Sequence, residues 1–387
     1  MSPPTDLDSV ESSTFTFAGE GEEPFCLRSG ESLAPVTLAY EVYGELSPAR
    51  DNAVLLFHAL SGSQHAAGYN AAVEGVGDRW TDECQVGWWE GFIGPGKALD
   101  TDRLCVICAN YLGGCYGSTG PASISPATGQ PYGSTFPHLT FADIVDSQVR
   151  LLDHLGIDRL HSTIGASVGG MMCLDLATRY PERVGIVVPI ATGMSTTPLQ
   201  RLHNLEQIYA LERDPHFARG DYYRSQAPLD GLALARMIAH KTFVSLHALE
   251  DRARLEVQGP ARVAGWYGIS HSLESYMLHQ GHKFARRFDA NTYLRILDAW
   301  QGFALADGGE PEELFSRCGH QRYLVFSIDS DVCFYPDEQE DLARALKRAG
   351  VDSMRITVHS DKGHDAFLVE PQLFTPHLTH TLNSDPG

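Results

Sequence analysis

Five short, unbroken apolar runs constrain this chain more than any other feature: Ala53–Leu60, Leu104–Gly113, Leu160–Gly165, Val184–Thr192 and Tyr323–Ser330. None alternates with polar residues. A run of that length without alternation fits a strand covered on both faces, as in a parallel sheet. Helical patterns lie between the runs. In "TFADIVDSQVRLLDHLGI" the apolar residues Ile144, Val149, Leu151, Leu152 and Leu155 recur at helical spacing, and Gly156 closes the segment. In "DEQEDLARALKRAGV" Gly350 plays the same part. Strand followed by helix followed by strand implies an α/β fold with a doubly wound, mostly parallel sheet. "VTLAYEVYGEL" alternates in part and is expected to add an antiparallel edge.

The rhythm stops between about Thr192 and Leu305 and resumes at Tyr323. That stretch is helix-like and rich in His, Arg and Tyr. Residues 195–305 carry 13 Lys+Arg against 11 Asp+Glu, although the whole chain carries 29 against 49. The expected organisation is a flexible polar leader over residues 1–14, a core over 15–193 and 306–387, and a helical lid over 194–305. A lid without the acidity of the core suits an anionic substrate that the core repels. A merely solvated helical surface has the same composition.

One sharp turn carries the chemistry. In "HSTIGASVGGMMCLDLA", Gly165-x-Ser167-x-Gly169 joins an apolar run to a strong helix former. A serine at such a turn leaves no room for side chains on the adjoining strand and helix. The same pattern also occurs as a structural turn, so the rest of the chain has to decide. A serine nucleophile needs a base and a residue that orients the base, following it in the order acid, then His. Asp331 follows the run ending "YLVFSI", and His364 stands behind Gly363 after "MRITVHS". Asp329 is the rival orienter and His359 the rival base. The backbone N–H groups of Val168, just after the serine, and Leu60, after the run "VLLFHAL", are the expected oxyanion donors.

Several classes are excluded on composition. A net charge of −20 opposes nucleic acid and anionic membranes as main partners. No run of 18 apolar residues is present, and the first residues have no signal-peptide pattern. A cytoplasmic location with eight reduced cysteines follows. Cys105 and Cys108 form C-x-x-C inside an apparent strand, where alternation sends them to opposite faces, so core packing is expected rather than metal or redox chemistry. The His residues show no H-E-x-x-H spacing, and no metal is expected. The acidic segment Gly75–Cys84, "GVGDRWTDEC", has two open readings, a gate and a surface loop.

From about Thr37 to Leu368 the chain resembles the homoserine O-acetyltransferases of the α/β-hydrolase superfamily. "FHALSGSQHAAG" resembles their oxyanion loop, and "GASVGGM" their nucleophile elbow. "GWWEGFIGPGKALDTDR" and "CANYLGGCYGSTGPASISPATGQPYG" are similar to two signature loops. "HQGHKFARRFDANTYL", "DSDVCFYPDEQ" and "GHDAFL" are similar to the lid helix, acid loop and histidine loop. The resemblance implies a triad of Ser167, Asp331 and His364, with oxyanion donors at Leu60 and Val168. It implies that Arg236 grips an amino-acid carboxylate and that Asp365 meets its amine. A zwitterion calls for one such cation and one such anion. A surface salt bridge for Arg236 and a loop cap for Asp365 remain the plain structural alternatives. The resemblance further implies acetyl-CoA as co-substrate with no permanently bound cofactor, and a homodimer formed through the lid helices. The implied activity is ping-pong transfer of acetyl from acetyl-CoA to L-homoserine. Serine as acceptor, succinyl-CoA as donor, and simple ester or thioester hydrolysis are the alternatives. Ala166 and Val168 stand where Gly and Met are usual, Phe243 where a Tyr is usual, and Val244 where a basic residue is common.

Overall fold

The computed structural model describes Leu7, residues 9–245, 248–251 and 266–383. Eight strands form one sheet: β1 (Ser13–Phe17), β2 (Val36–Tyr43), β3 (Ala53–Phe57), β4 (Cys105–Ala109), β5 (Leu160–Ala166), β6 (Val184–Ile190), β7 (Arg322–Ile328) and β8 (Asp352–Val358). Their spatial order is β1-β2-β4-β3-β5-β6-β7-β8. The first two strands are antiparallel to their neighbours, and β4 through β8 pair in parallel. Every residue of β3, β4 and β6 is buried. Two apolar clusters explain the unbroken runs. Leu55, Phe57, Ile107 and Val187 join one, and their chain neighbours Leu56, Val106, Ile186 and Val188 join the other. Both faces of the sheet are covered, so both parities must be apolar.

The sulfurs of Cys105 and Cys108 divide between the two clusters, as the strand alternation requires, and all eight cysteines are unpaired. Two expectations need correction at the N-terminal edge. β2 is antiparallel but is not the edge, because β1 lies outside it. β1 begins at Ser13, inside the stretch read as leader, and Ser12 Oγ donates to the buried Glu41 at 2.7 Å. "STFTF" is short and half exposed, so it lacks the apolar run that marks the central strands.

Helix α1 (Phe141–His154) packs against α2 (Val168–Arg179), which packs on β5 and β6. Thr140 caps α1 in a reciprocal pair with Asp143, and Gly156 ends the turn beyond it at φ +67°. Between β6 and β7 come α3 (Pro198–Glu212), α4 (Leu229–Phe243), α5 (Ser272–Arg287) and α6 (Ala290–Gln301). No strand interrupts them among the described residues. Helices α7 (Pro336–Arg348) and α8 (Thr375–Leu382) complete the main elements.

Candidate active site

Ser167 sits between β5 and α2 at φ 59° and ψ −129°. A side chain is strained by about 1–3 kcal/mol in that region, so the surroundings must hold it there. They do so through β6. The Ser167 N–H donates to the Ile190 carbonyl at 2.9 Å, and Thr192 Oγ1 donates to the Ser167 carbonyl at 2.7 Å. The glycines are steric necessities. A Cβ on Gly165 would lie 2.3 Å from the Gly169 carbonyl oxygen. One on Gly169 would lie 2.4 Å from that of Phe57. Gly170 has the same role, unnoticed in the sequence: its Cβ would meet Thr192 at 2.6 Å.

Asp331 and His364 follow β7 and β8, two and three strands from β5. Both are buried. His364 Nδ1 lies 2.6 Å from Asp331 Oδ2. The other carboxylate oxygen accepts the backbone N–H groups of Cys333 at 2.8 Å and Phe334 at 3.0 Å. Those two amides fix the carboxylate, and nothing in the side-chain pattern announces them. Burial alone pushes the His364 imidazole down. The charge and hydrogen bond of Asp331, aided by Asp365 and Glu338, outweigh it and raise the pKa above the ordinary value. His364 Nε2 is buried without a hydrogen-bond partner among the described residues. No hydrogen bond joins it to Ser167 Oγ. Such contacts are commonly looser before substrate binds.

The rivals pair with each other instead. Asp329 and His359 are exposed and meet at 2.8 Å on the surface. Strand parity does not separate Asp329 from Asp331 because β7 has ended. A turn closed by the Asp331 N–H on the Ile328 carbonyl swings Asp331 inward.

Leu60 and Val168 are buried, and neither backbone N–H donates to another group among the described residues. Leu60 and Ser61 are the central residues of a turn closed by Gly62 N–H to Ala59 O at 3.0 Å. His58 precedes this turn, with its ring stacked on Tyr111 at 3.6 Å. Burial pushes its imidazole down to about 4, so the ring is neutral near pH 7.

Arg236 lies on α4 and forms no hydrogen bond or ion pair with the described residues. Its guanidinium rests 5.0 Å from the Phe243 ring centre and 4.8 Å from that of Phe284. The Phe243 ring in turn lies 6.0 Å from the His364 ring. This side chain, where the resemblance leads one to look for a Tyr, thus spans the distance between Arg236 and the histidine. Burial lowers the Arg236 pKa, and the charge of Asp365 opposes that. Asp365 follows His364 in a short 3-10 turn, Gly363–Asp365. Among the described residues no group of three or more His, Cys, Asp or Glu side chains is placed to hold a metal ion. No helix of the described residues is long and apolar enough to cross a membrane.

A serine at a strained strand-to-helix turn, a buried His–Asp pair and a parallel sheet ordered in this way are the arrangement of an α/β-hydrolase scaffold. The family model of the alpha/beta hydrolase fold matches residues 52–371. The homoserine O-acetyltransferase of Deferribacter desulfuricans is 42% identical over 353 residues, covering 90% of each chain. The crystal structure of homoserine O-acetyltransferase from Bacillus anthracis superposes with a TM-score of 0.86 at 27% identity, over 98% of this chain and 100% of that one. The crystal structure of esterase E22 superposes with a TM-score of 0.85, also at 27% identity, over 97% of this chain and 100% of that one. The chain belongs to the homoserine O-acetyltransferase family and is an acyltransferase.

Proposed function

We propose that this enzyme transfers acetyl from acetyl-CoA to the hydroxyl of L-homoserine, with Ser167 as the carrier. Ser167 Oγ attacks the thioester carbon as His364 Nε2 takes its proton. Asp331 holds the imidazole in the required tautomer and stabilises the cation that forms. The tetrahedral oxyanion accepts the N–H groups of Leu60 and Val168. The C–S bond then breaks, and His364 protonates the departing thiolate. In the second half, homoserine gives its hydroxyl proton to His364 and attacks the acetyl-serine. O-acetylhomoserine leaves, and Ser167 recovers its proton.

One observation carries the choice of an amino acid as acceptor. Arg236 is a cation that makes no ion pair or hydrogen bond among the described residues, held on Phe243 next to the His364 ring. A carboxylate is the partner it lacks, and Asp365 supplies the matching anion for an amine. The helices α3 to α6 act as the lid that keeps water from the acyl-enzyme. Leu199, Leu202, Leu205 and Tyr209 form an exposed stripe on α3, and Leu234 is exposed on α4. That apolar surface supports a homodimer through the lid. Eight unpaired cysteines support a cytoplasmic setting.

The likeness to esterase E22 favours one second reading, hydrolysis of an ester with water as acceptor. A competition assay separates the two. The enzyme receives acetyl-CoA and succinyl-CoA together with equal L-homoserine and L-serine, beside a Ser167→Ala control, and products are read by mass spectrometry. O-acetylhomoserine as the dominant, Ser167-dependent product is expected. Free acid alone means hydrolysis, and a different acylated amino acid moves the substrate while keeping the mechanism.

A further inference from the structure

Arg287 ends α5 within reach of the turn that carries Leu60. Its Nη1 donates to the Ser61 carbonyl at 3.3 Å and to the Tyr116 hydroxyl at 3.1 Å. Tyr116 returns the contact, its hydroxyl donating to the Arg287 carbonyl at 2.6 Å. Tyr116 is fully buried, so this reciprocal pair holds α5 on the core at a fixed point. The guanidinium also lies 5.2 Å from the centre of the Phe284 ring, the ring that Arg236 touches. Burial pulls the Arg287 pKa down, but Tyr116, Cys84 and Glu83 more than offset that and leave it raised. Glu83 belongs to the acidic segment Gly75–Cys84. It pairs with Lys283 at 3.1 Å and approaches Arg287 at 4.0 Å. That segment therefore meets α5 through Glu83.

We propose that Arg287 is a positioning residue for the oxyanion hole. This rests on the reading of Leu60 as an oxyanion donor. The residue before the turn Ala59–Gly62 is held by the Tyr111 hydroxyl, which donates to the His58 carbonyl. Arg287 grips the turn itself from the lid side, one residue after Leu60. An oxyanion donor works only within a few tenths of an ångström of its place. With α5 docked, the planar guanidinium reaches Ser61 and Tyr116 together. A lysine in its place has a single point charge and cannot reproduce that fork. The lid helix that bears Arg287 also packs Phe284 against Arg236. Arg287 thus ties α5 to the turn that carries Leu60, and Glu83 approaches the same guanidinium at 4.0 Å.

The test is rapid-quench measurement of acyl-enzyme formation from acetyl-CoA and from p-nitrophenyl acetate, on the full-length protein and on Arg287→Ala, Arg287→Lys and Tyr116→Phe. Arg287→Ala is expected to slow acylation by both donors roughly 10–100-fold, short of the loss when a donor is removed altogether. KM for acetyl-CoA and for homoserine should stay within about threefold, because binding before the chemical step does not use the oxyanion hole. Arg287→Lys should recover only part of the rate. Acylation within twofold of the parent, or a rise in KM with the saturated rate unchanged, overturns the proposal. If Arg287→Ala does not fold, Tyr116→Phe decides. It keeps the ring and removes only the hydroxyl, and a several-fold slower acylation supports the proposal where an unchanged rate overturns it. A Ser167→Ala control that still acylates would instead sink the reading of the site on which the proposal rests.

Discussion

Replacing Arg236 with alanine should separate the two halves of the reaction. The guanidinium pairs with no carboxylate among the described residues, so its removal strands no buried anion there, the usual source of large losses at ion pairs. The fold loses two cation–π contacts, at 5.0 and 4.8 Å, worth about 0.5–2 kcal/mol each. It is also relieved of a poorly solvated cation. The two effects oppose each other, and Tm should move by only a few degrees. The acceptor loses much more. A bidentate carboxylate contact comprises two charge-assisted hydrogen bonds of about 1.5–3 kcal/mol each. At about 1.4 kcal/mol per tenfold, kcat/KM for homoserine should fall roughly 10²–10⁴-fold. Acyl-enzyme formation from p-nitrophenyl acetate, which needs no acceptor, should stay within a few-fold. Burst amplitude and rate report the first half, and appearance of O-acetylhomoserine reports the second. Transfer within threefold of the parent, or acylation falling in step with transfer, refutes the assignment of Arg236 to the acceptor carboxylate.

Other substitutions probe other joints. Gly169→Ala puts a Cβ 2.4 Å from the Phe57 carbonyl oxygen and 2.8 Å from that of His58. Neither backbone atom moves freely, so denaturant unfolding should show a loss of about 3 kcal/mol or more. The acid limb of the kcat/KM profile should fall above the ordinary histidine value of about 6.5, because the base must be neutral and Asp331 raises its pKa. Asp331→Asn removes the raising partner and leaves burial, so the limb should move to lower pH as kcat collapses. Glu338 is pushed up to about 7 by burial, so the folded state binds its proton more tightly than the unfolded chain does. Stability from this carboxyl is present at low pH and is lost as pH rises from the unfolded value toward 7 and beyond. Glu338→Gln keeps an acceptor for the Tyr335 N–H, which meets Oε1 at 3.0 Å. It should raise Tm at pH 8 by a few degrees and leave it nearly unchanged at pH 5.

The central sheet is legible in the sequence because burial on both faces writes itself as unbroken apolar runs. The nucleophile elbow is legible because sterics leave Gly165 and Gly169 no substitute. The His–Asp pair can be found from chain order, since Asp331 and His364 each follow a strand. What stays hidden depends on tertiary contact. β1 is half exposed and carries no run. The amides of Cys333 and Phe334 that hold Asp331 are backbone groups, common to every residue type. The two aromatic faces around Arg236 come from α4 and α5, Phe243 and Phe284. No local pattern joins them. Glu83 and Arg287 are two hundred residues apart, and only the docking of α5 brings their charges together.

The central claim is that Ser167 carries the acetyl group between donor and acceptor. It is tested most directly by quenching the enzyme in acid after mixing with acetyl-CoA, digesting it, and weighing the peptide that contains Ser167. The peptide should gain one acetyl group, lose it when L-homoserine is added before the quench, and yield O-acetylhomoserine in equal amount. An unmodified Ser167 peptide under conditions where O-acetylhomoserine forms would contradict the claim.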